Sequence, residues 1–506
     1  MRKRSNITFL LLALMLAIPA VLGLLHSGFF VSDDGNWMVI RFSAFFEALR
    51  NGEFPVRFLP HLNSGYGYPV ADFLYPLFMY IGAPIHIFKV SFVDTVKIIL
   101  GLSMILSSVF SFLWLRKQFD NISSLLGSAI YTFFPYHLWD IYKRGSVGEV
   151  LALGIVPFIL WAIELESLPL AGLGYGLLII AHNSLSLLFL PVLFGYQLLR
   201  SSKRRVMKSL KVIELGLMLS AFFWLPALYD KQFTVFDKTS VADFTKYFVS
   251  DFSLLGLVTL VSLTGSLFFL VKKDKKFIYF FAVTLFSLFL STEPSKMVWQ
   301  NLPIVGFIQF PFRVLSIAVL GVSFLVAYQL DSLKKRAKIG VAVIYLALIF
   351  VSAWPFLFPK NYQYYPDTFY STNQDSTTVK NEYMPKWVPK ASINRYSNKA
   401  EVVTGKATIT NVINKGNKTS FNISSSEKST VQVNTVYFPG WKVYIDGEDT
   451  PIDYNGNGLI RFNVPSGSHV VVAKFGETQI RMIADFLSLL GLLLVIILLV
   501  RKFRKS

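Results

Sequence analysis

From Ile7 to Leu25 the chain runs nineteen residues without a charge, long enough to cross the ~30 Å hydrocarbon core of a bilayer as a helix. Arg2, Lys3 and Arg4 precede this run, and Asp33 and Asp34 follow within ten residues of its end. Basic residues hold the near end in the cytoplasm, so the acidic pair is expected on the opposite membrane face. A carboxylate at that depth sits where lipid-linked substrates present their head groups, and it can serve as a general base. The run exceeds the ~7–15 residues of a signal-peptide core, so a retained first helix is expected.

Composition extends the membrane reading to the whole chain. Of 506 residues, 53% are hydrophobic and 16% charged, against about 25% charged in soluble domains. The formal charge is +19. Its clusters are Arg2–Arg4, Arg116–Lys117, Arg200–Lys208, Lys272–Lys276, Lys334–Lys338 and Arg501–Lys505, each abutting an apolar run. That is the positive-inside pattern, with no single basic face for nucleic acid. The absence of cysteine excludes disulfides and thiolate chemistry.

Apolar runs suggest twelve spans, near 7–25, 94–115, 121–137, 149–165, 170–182, 184–199, 209–228, 251–271, 277–291, 313–330, 339–358 and 482–500. The even number returns Arg501–Lys505 to the cytoplasm, and each internal basic cluster falls on the same side. Residues 71–88 are expected to be re-entrant or interfacial, since a full crossing would put every later cluster outside. A break at His182-Asn183-Ser184 is required for the same reason.

The expected architecture is a polytopic α-helical membrane protein: a bundle over 1–358 with a first outer loop at 26–94, an extracytoplasmic domain at 359–481, and a last span with a basic tail at 482–506. Within the loop, Asn36–Arg50 reads as a helix stopped at Asn51-Gly52, lying in the headgroup layer or packed on the bundle. Residues 359–481 are polar, with alternation in Thr408–Asn414, Ser420–Ser424, Thr430–Tyr437, Leu459–Val464 and His469–Phe475. Asp446-Gly447, Asn455-Gly456 and Asn457-Gly458 mark turns, which together suggest an antiparallel β-sandwich. Multi-pass insertion, with this domain outside and both termini in the cytoplasm, is expected from the charges.

Span centres are almost free of charge, which weighs against a proton-coupled carrier. Ionisable residues gather on the outer face instead. Asp33 and Asp34 lead them, either as base or cation ligands or as a cap for the following helix. Between two spans, Arg144 offers a phosphate fork that Glu149 can orient. Arg313 sits at headgroup depth as a phosphate ligand or a snorkelling anchor. His182 marks the tight break, and His61 belongs to the same outer inventory. No spacing forms a recognised metal motif.

These residues resemble a family. Asp33-Asp34, Gly65-Tyr66-Gly67-Tyr68-Pro69 leading to Tyr75-Pro76-Leu77, and Arg144-Gly145-Ser146-Val147-Gly148-Glu149 look like the YfhO-like bacterial membrane proteins. They look equally like the relatives called 6-pyruvoyl-tetrahydropterin-synthase-related membrane proteins. Phe310-Pro311-Phe312-Arg313, Glu382-Tyr383-Met384-Pro385 and Pro439-Gly440-Trp441 through Asp446-Gly447 carry the match almost end to end, with no motif of a zinc-dependent pterin enzyme.

The resemblance implies a bacterial cell membrane as the location and a GT-C glycosyltransferase architecture with its active site in the first outer loop. It also implies a polyprenyl-phosphate sugar as donor and a cell-envelope acceptor: a glycopolymer such as teichoic acid or polysaccharide, a lipid or a protein. The family's catalytic carboxylate falls on Asp34, with Asp33 adjacent, and Tyr66 joins the substrate-binding candidates. Relatives carry a histidine shortly after that aspartate. Trp37 and Met38 stand here instead, which weakens a Mg- or Mn-binding version of the site. Two other classes remain open, a lipid or polysaccharide translocase and a non-catalytic glycan-binding scaffold.

Overall fold

Among the described residues of the computed structural model, six helices are long and apolar enough to cross a membrane: Ile7–Leu25, Phe92–Leu115, Val147–Glu164, Pro311–Asp331, Lys335–Phe356 and Gln479–Lys502. Two more crossings arise if each bent pair is one span: Val206–Leu219 with Ala221–Phe233, bent by 72°, and Lys275–Ser291 with Glu293–Asn301, bent by 88°. Four further apolar helices have 10–17 residues. Length and composition therefore support six to eight crossings among the described residues. The twelve expected would also need Asn121–Phe133, Leu168–Ala181, Asn183–Leu198 and Gly256–Leu267 to cross. The structure describes residues 2–199, 203–239, 244–301, 305–389 and 395–504. Of the basic clusters, Arg200 and Lys505 lie outside the described residues.

The helices that build the site are α1 (Gly35–Arg50), α2 (Phe92–Leu115), α3 (Val147–Glu164), α4 (Leu168–Ala181), α5 (Asn183–Leu198), α6 (Lys203–Leu219), α7 (Ala221–Asp230), α8 (Leu315–Asp331) and α9 (Gln479–Phe503). Small residues let the bundle close tightly. A Cβ at Gly154 on α3 would stand 2.9 Å from the Ser103 carbonyl on α2, and Ser103, Ser107, Ser108 and Ser111 are all buried. The expected break is present: His182 is extended between α4 and α5, and its ring accepts a hydrogen bond from the Leu185 N–H. The expected 121–137 span is a helix only over Asn121–Phe133, because Pro135 starts a new turn.

α1 is packed in the protein rather than lying in a headgroup layer. Val39, Phe42 and Phe45 are buried, Phe42 meets the Phe92 ring edge-on at 5.7 Å, and Ser43 donates to the Tyr370 carbonyl at 2.9 Å. The expected 71–88 helix is an eleven-residue helix, Leu77–Ile87. At 1.5 Å per residue it spans about 16 Å, half a bilayer core.

Among the described residues eight strands follow: β1 (Ala400–Thr404), β2 (Ala407–Lys415), β3 (Lys418–Ser425), β4 (Ser429–Val436), β5 (Trp441–Ile445), β6 (Glu448–Thr450), β7 (Leu459–Val464) and β8 (Gly467–Phe475). They form antiparallel sheets of order β2-β3-β8-β5-β6 and β1-β4-β7. Alternating inward residues, Phe421 and Ile423 on β3 and Val471, Ala473 and Phe475 on β8, bury the shared core. The chain returns to its own beginning before these strands: Phe29–Phe30 pairs antiparallel with Tyr362–Gln363. A second tie is ionic. Arg57 meets Asp485 at 2.7 Å, Glu477 at 3.0 Å and Asp72 at 3.5 Å. Arg481 of α9 meets Asp230 at 2.8 Å and Asp72 at 3.7 Å.

Candidate active site

Two loops pair to place the acidic residues. The Asp33 N–H donates to the Lys143 carbonyl at 3.0 Å and the Asp34 N–H to the Arg144 carbonyl at 2.8 Å. This is possible because Gly145 has φ +66° and no side chain. A Cβ there would lie 2.5 Å from Ser32 Oγ and 2.9 Å from the Gly35 nitrogen. One wide helical turn, Asp140–Arg144, then leads into α3, whose first turn carries Glu149.

The neighbouring aspartates have different fates. Asp33 is half-exposed and pairs with the exposed Lys143 at 2.8 Å. Asp34 stands at the N-terminus of α1 but makes no side-chain cap hydrogen bond, so the capping role does not hold it. Its Oδ2 faces Arg144 Nη2 at 3.6 Å, with 33% of the side chain exposed. Burial raises the Asp34 carboxyl above its ordinary value of 3.8, and the positive charges of Arg144 and Arg313 oppose that rise.

Behind Asp34 lies a dry ionic knot. Glu149 Oε1 accepts from Arg144 Nη1 and, at 2.7 Å, from Arg313 Nε. Its Oε2 accepts from the Tyr136 hydroxyl at 3.2 Å. Arg144 Nη1 also donates to Asp140 at 2.9 Å, and the Phe312 ring lies 5.0 Å from its guanidinium carbon. Arg313 Nη1 donates to the Ile308 carbonyl at 2.9 Å and to Gln309 at 3.1 Å. His182 Nε2 lies 3.7 Å from Glu149 Oε1, with Tyr75 packed on its ring at 4.6 Å. A fully buried carboxylate, Glu149, thus fixes Arg144 and Arg313 from separate elements, while Asp140 Oδ2 is buried without a hydrogen-bond partner.

In front of Asp34 opens a cavity of about 960 Å³. Asp34, Arg41, His182 and Arg313 give it polar groups, while α4 to α7 line it with residues such as Leu178, Leu187, Leu217 and Leu228. Residues 377–380, with Glu382 and Tyr383, line it from the segment leading into the β-domain. Asp34, His182 and Arg313 thus share one cavity. Arg144 and Glu149 do not line it but contact Asp34 and Arg313, which do. Asp33 lies outside it. His61 and Tyr66 are elsewhere, His61 3.6 Å from Glu47 and Tyr66 edge-on to Tyr396 at 5.1 Å. Among the described residues no three His, Asp or Glu side chains group to hold a metal.

Arg41 and Thr377 line the cavity without being sequence candidates, and Tyr383 of the Glu382-Tyr383-Met384-Pro385 motif lines it too. A signal for Arg41 exists: it follows Asp34 by seven residues, two helical turns, and so shares its face. Nothing in the sequence marks Thr377, whose partner lies 336 residues away.

The family model described as 6-pyruvoyl-tetrahydropterin synthase related domain, membrane protein, matches residues 72–358, more than half of the chain. An uncharacterized protein of Lactococcus lactis subsp. cremoris (strain MG1363) is 25% identical over 266 residues, 49% of this chain and 43% of that protein. Among solved structures, ArnT from Cupriavidus metallidurans is similar at 16% identity and TM-score 0.46, over 73% of this chain and 68% of its own. The arabinofuranosyltransferase AftD from Mycobacteria is similar at 14% identity and TM-score 0.45, over 71% and 27%. The Archaeoglobus fulgidus oligosaccharyltransferase is similar at 14% identity and TM-score 0.40, over 77% and 61%. The chain spans less than half of the Lactococcus relative and about a quarter of AftD.

Proposed function

The chain belongs to the 6-pyruvoyl-tetrahydropterin synthase-related membrane proteins, and from that premise we propose that it is a glycosyltransferase of GT-C type. Its donor is a sugar on a polyprenyl phosphate and its acceptor a hydroxyl of a cell-envelope polymer or lipid. One observation carries the reading: a part-exposed carboxylate, Asp34, bordering a large, mostly apolar cavity built by membrane helices. An apolar wall suits a prenyl chain, and the carboxylate stands where a reacting hydroxyl needs a base.

In the step proposed, the acceptor oxygen attacks the sugar's anomeric carbon and Asp34 takes the hydroxyl proton. The bond from that carbon to the phosphate oxygen breaks, and its electron pair leaves with the polyprenyl phosphate. Asp34 later gives the proton to water. Arg144 keeps Asp34 oriented, and Glu149 holds Arg144 and Arg313 in place. Positive charge at the cavity wall stabilises the departing phosphate in a site sheltered from water. The elevated position of the Asp34 carboxyl suits this role, because a carboxylate with raised pKa is a stronger base.

The basic clusters orient the Asp34 face outward. Cysteines introduced at Ser64 or Ser426 of this cysteine-free chain are expected to label with an impermeant thiol reagent in intact cells. A cysteine at Lys273 is expected to be protected, and reversed labelling would remove the outer-face reading. The function itself is tested by envelope glycan composition in cells lacking the protein. A sugar missing there and restored by the wild type, but not by Asp34→Asn at equal membrane levels, is the expected result. Restoration by Asp34→Asn would favour a scaffold instead.

A further inference from the structure

Every other buried arginine of the two ionic clusters has carboxylate partners. Arg144 has Asp34, Asp140 and Glu149; Arg313 has Glu149; Arg57 and Arg481 share four acids. Arg41 is the exception. It is 3% exposed, and among the described residues no carboxylate oxygen comes within ion-pair distance of it. Its guanidinium donates only to neutral atoms: Nη2 to the Thr377 carbonyl at 2.7 Å, Nε to Thr377 Oγ1 at 3.3 Å, and Nη1 to the Met38 sulfur at 3.4 Å. A cation taken out of water without a counter-ion is costly, and folded proteins seldom leave one so.

Geometry says what completes it. Arg41 lines the same cavity as Asp34, two helical turns further along the same face of α1. Of five guanidinium hydrogens, three are committed, leaving one on Nη1 and one on Nη2. That pair is the fork that meets two oxygens of one phosphate. The fork is held by a backbone in a costly conformation. Thr377 is buried with φ +60°, and its N–H donates to Asp375 Oδ1 at 2.9 Å. Left-handed backbone at a β-branched residue is a strain found mostly at functional sites.

We propose that Arg41 is the anion-binding residue of the cavity and that its ligand is a phosphoester, which supplies the missing counter-charge. The inference rests on the glycosyltransferase reading only for where the phosphoester comes from. It sits on the lipid carrier of the donor or on a phosphate-bearing acceptor, and the chemistry at Arg41 is the same.

The test uses the full-length protein in detergent, with thermal unfolding as readout. The probes are a short-chain polyprenyl phosphate, the matching polyprenol and glycerol phosphate. Polyprenyl phosphate is expected to stabilise the wild type, polyprenol much less. Arg41→Met is expected to weaken the phosphate-dependent binding by at least about 30-fold, as for loss of one partner of a desolvated charge pair. Without ligand, Arg41→Met is expected to unfold no earlier than the wild type, because it removes an unpaired buried charge. Arg41→Lys keeps the charge, loses the fork and should bind with intermediate affinity.

Earlier unfolding of ligand-free Arg41→Met would make Arg41 a bolt for the Thr377 segment and overturn the proposal. Unchanged affinity in Arg41→Met or Arg41→Lys, or equal stabilisation by polyprenol, would also overturn it. Arg41-dependent stabilisation by glycerol phosphate alone would support the site and assign its phosphoester to the acceptor. A wild type that binds polyprenyl phosphate through Arg41 yet transfers no sugar would leave this site standing and remove the glycosyltransferase. One that transfers sugar while Arg41→Met binds normally would do the reverse.

Discussion

Two buried ionic clusters stand in this molecule, made of the same residue types and put to different ends. One joins Asp34, Asp140 and Glu149 to Arg144 and Arg313; the other joins Asp72, Asp230, Glu477 and Asp485 to Arg57 and Arg481. Each gathers distant parts of the chain, and each buries its arginines almost completely. No residue of the second lines the large cavity, and it ties the start of α9 to α7 and the 26–94 segment. The first leaves a single carboxylate, Asp34, at the cavity edge. The second cluster also has part-exposed carboxylates, Glu477 at 27% and Asp485 at 28% of the side chain, but none borders the cavity. Only the first cluster can exchange a proton with a molecule bound there.

Substitution should separate the two clusters, with the largest effect at Asp34. Asp34→Asn removes the base while keeping the size, so sugar transfer should fall by about 10²–10⁴-fold at unchanged membrane level. In the wild type, activity should decline as pH falls through the elevated Asp34 value, since the proton-bound carboxyl is no base. An acid limb no higher than that of an ordinary aspartate would put the reacting proton on another group.

Arg481→Met should do the opposite. It strands Asp230 and leaves Asp72 with Arg57 alone, and removal of one partner from such a cluster costs about 3–5 kcal/mol. Thermal unfolding and accumulation in the membrane should suffer, while the folded fraction keeps its turnover. A loss of turnover per folded molecule would show that the two clusters are one system.

Between these extremes lies Arg144→Lys. A point charge cannot reach Asp34, Asp140 and Glu149 together, so Asp34 loses its orientation and transfer should drop by about 10–100-fold, with a smaller change in stability. The smallest effect belongs to Asp33→Asn. Its pair with Lys143 is exposed on both sides and contributes about 0–1 kcal/mol, so transfer should change by less than about fivefold. A collapse of activity there would move the base from Asp34 to its neighbour.

Much of this was legible beforehand. The break at His182 follows from charge parity, and the structure places it there. The strands at Lys418–Ser425, Leu459–Val464 and Gly467–Phe475 follow from alternation. Ala400–Thr404 is not legible, because three of its five residues are exposed and the alternation is blurred. The helix after Asp34 was legible as a helix but not in its surroundings. An apolar stripe reads the same against lipid as against protein, and only the Ser43 bond to Tyr370 and the Arg41 bonds to Thr377 show which is present.

The sequence by itself determined that this chain lives in a membrane and carries a β-domain before its last helix. Burial of apolar surface adds up locally, residue by residue, and turns and alternation are local too. Only the tertiary structure decided which charges matter. Coulomb energy depends on the distance between groups and on the medium around them, and neither is written along the chain. Asp33 and Asp34 are adjacent in sequence, yet one pairs with a solvated lysine and the other faces a buried arginine at the edge of a cavity. Arg41 and Thr377 are far apart, yet they meet within 3 Å because the segment before the β-domain folds back over α1.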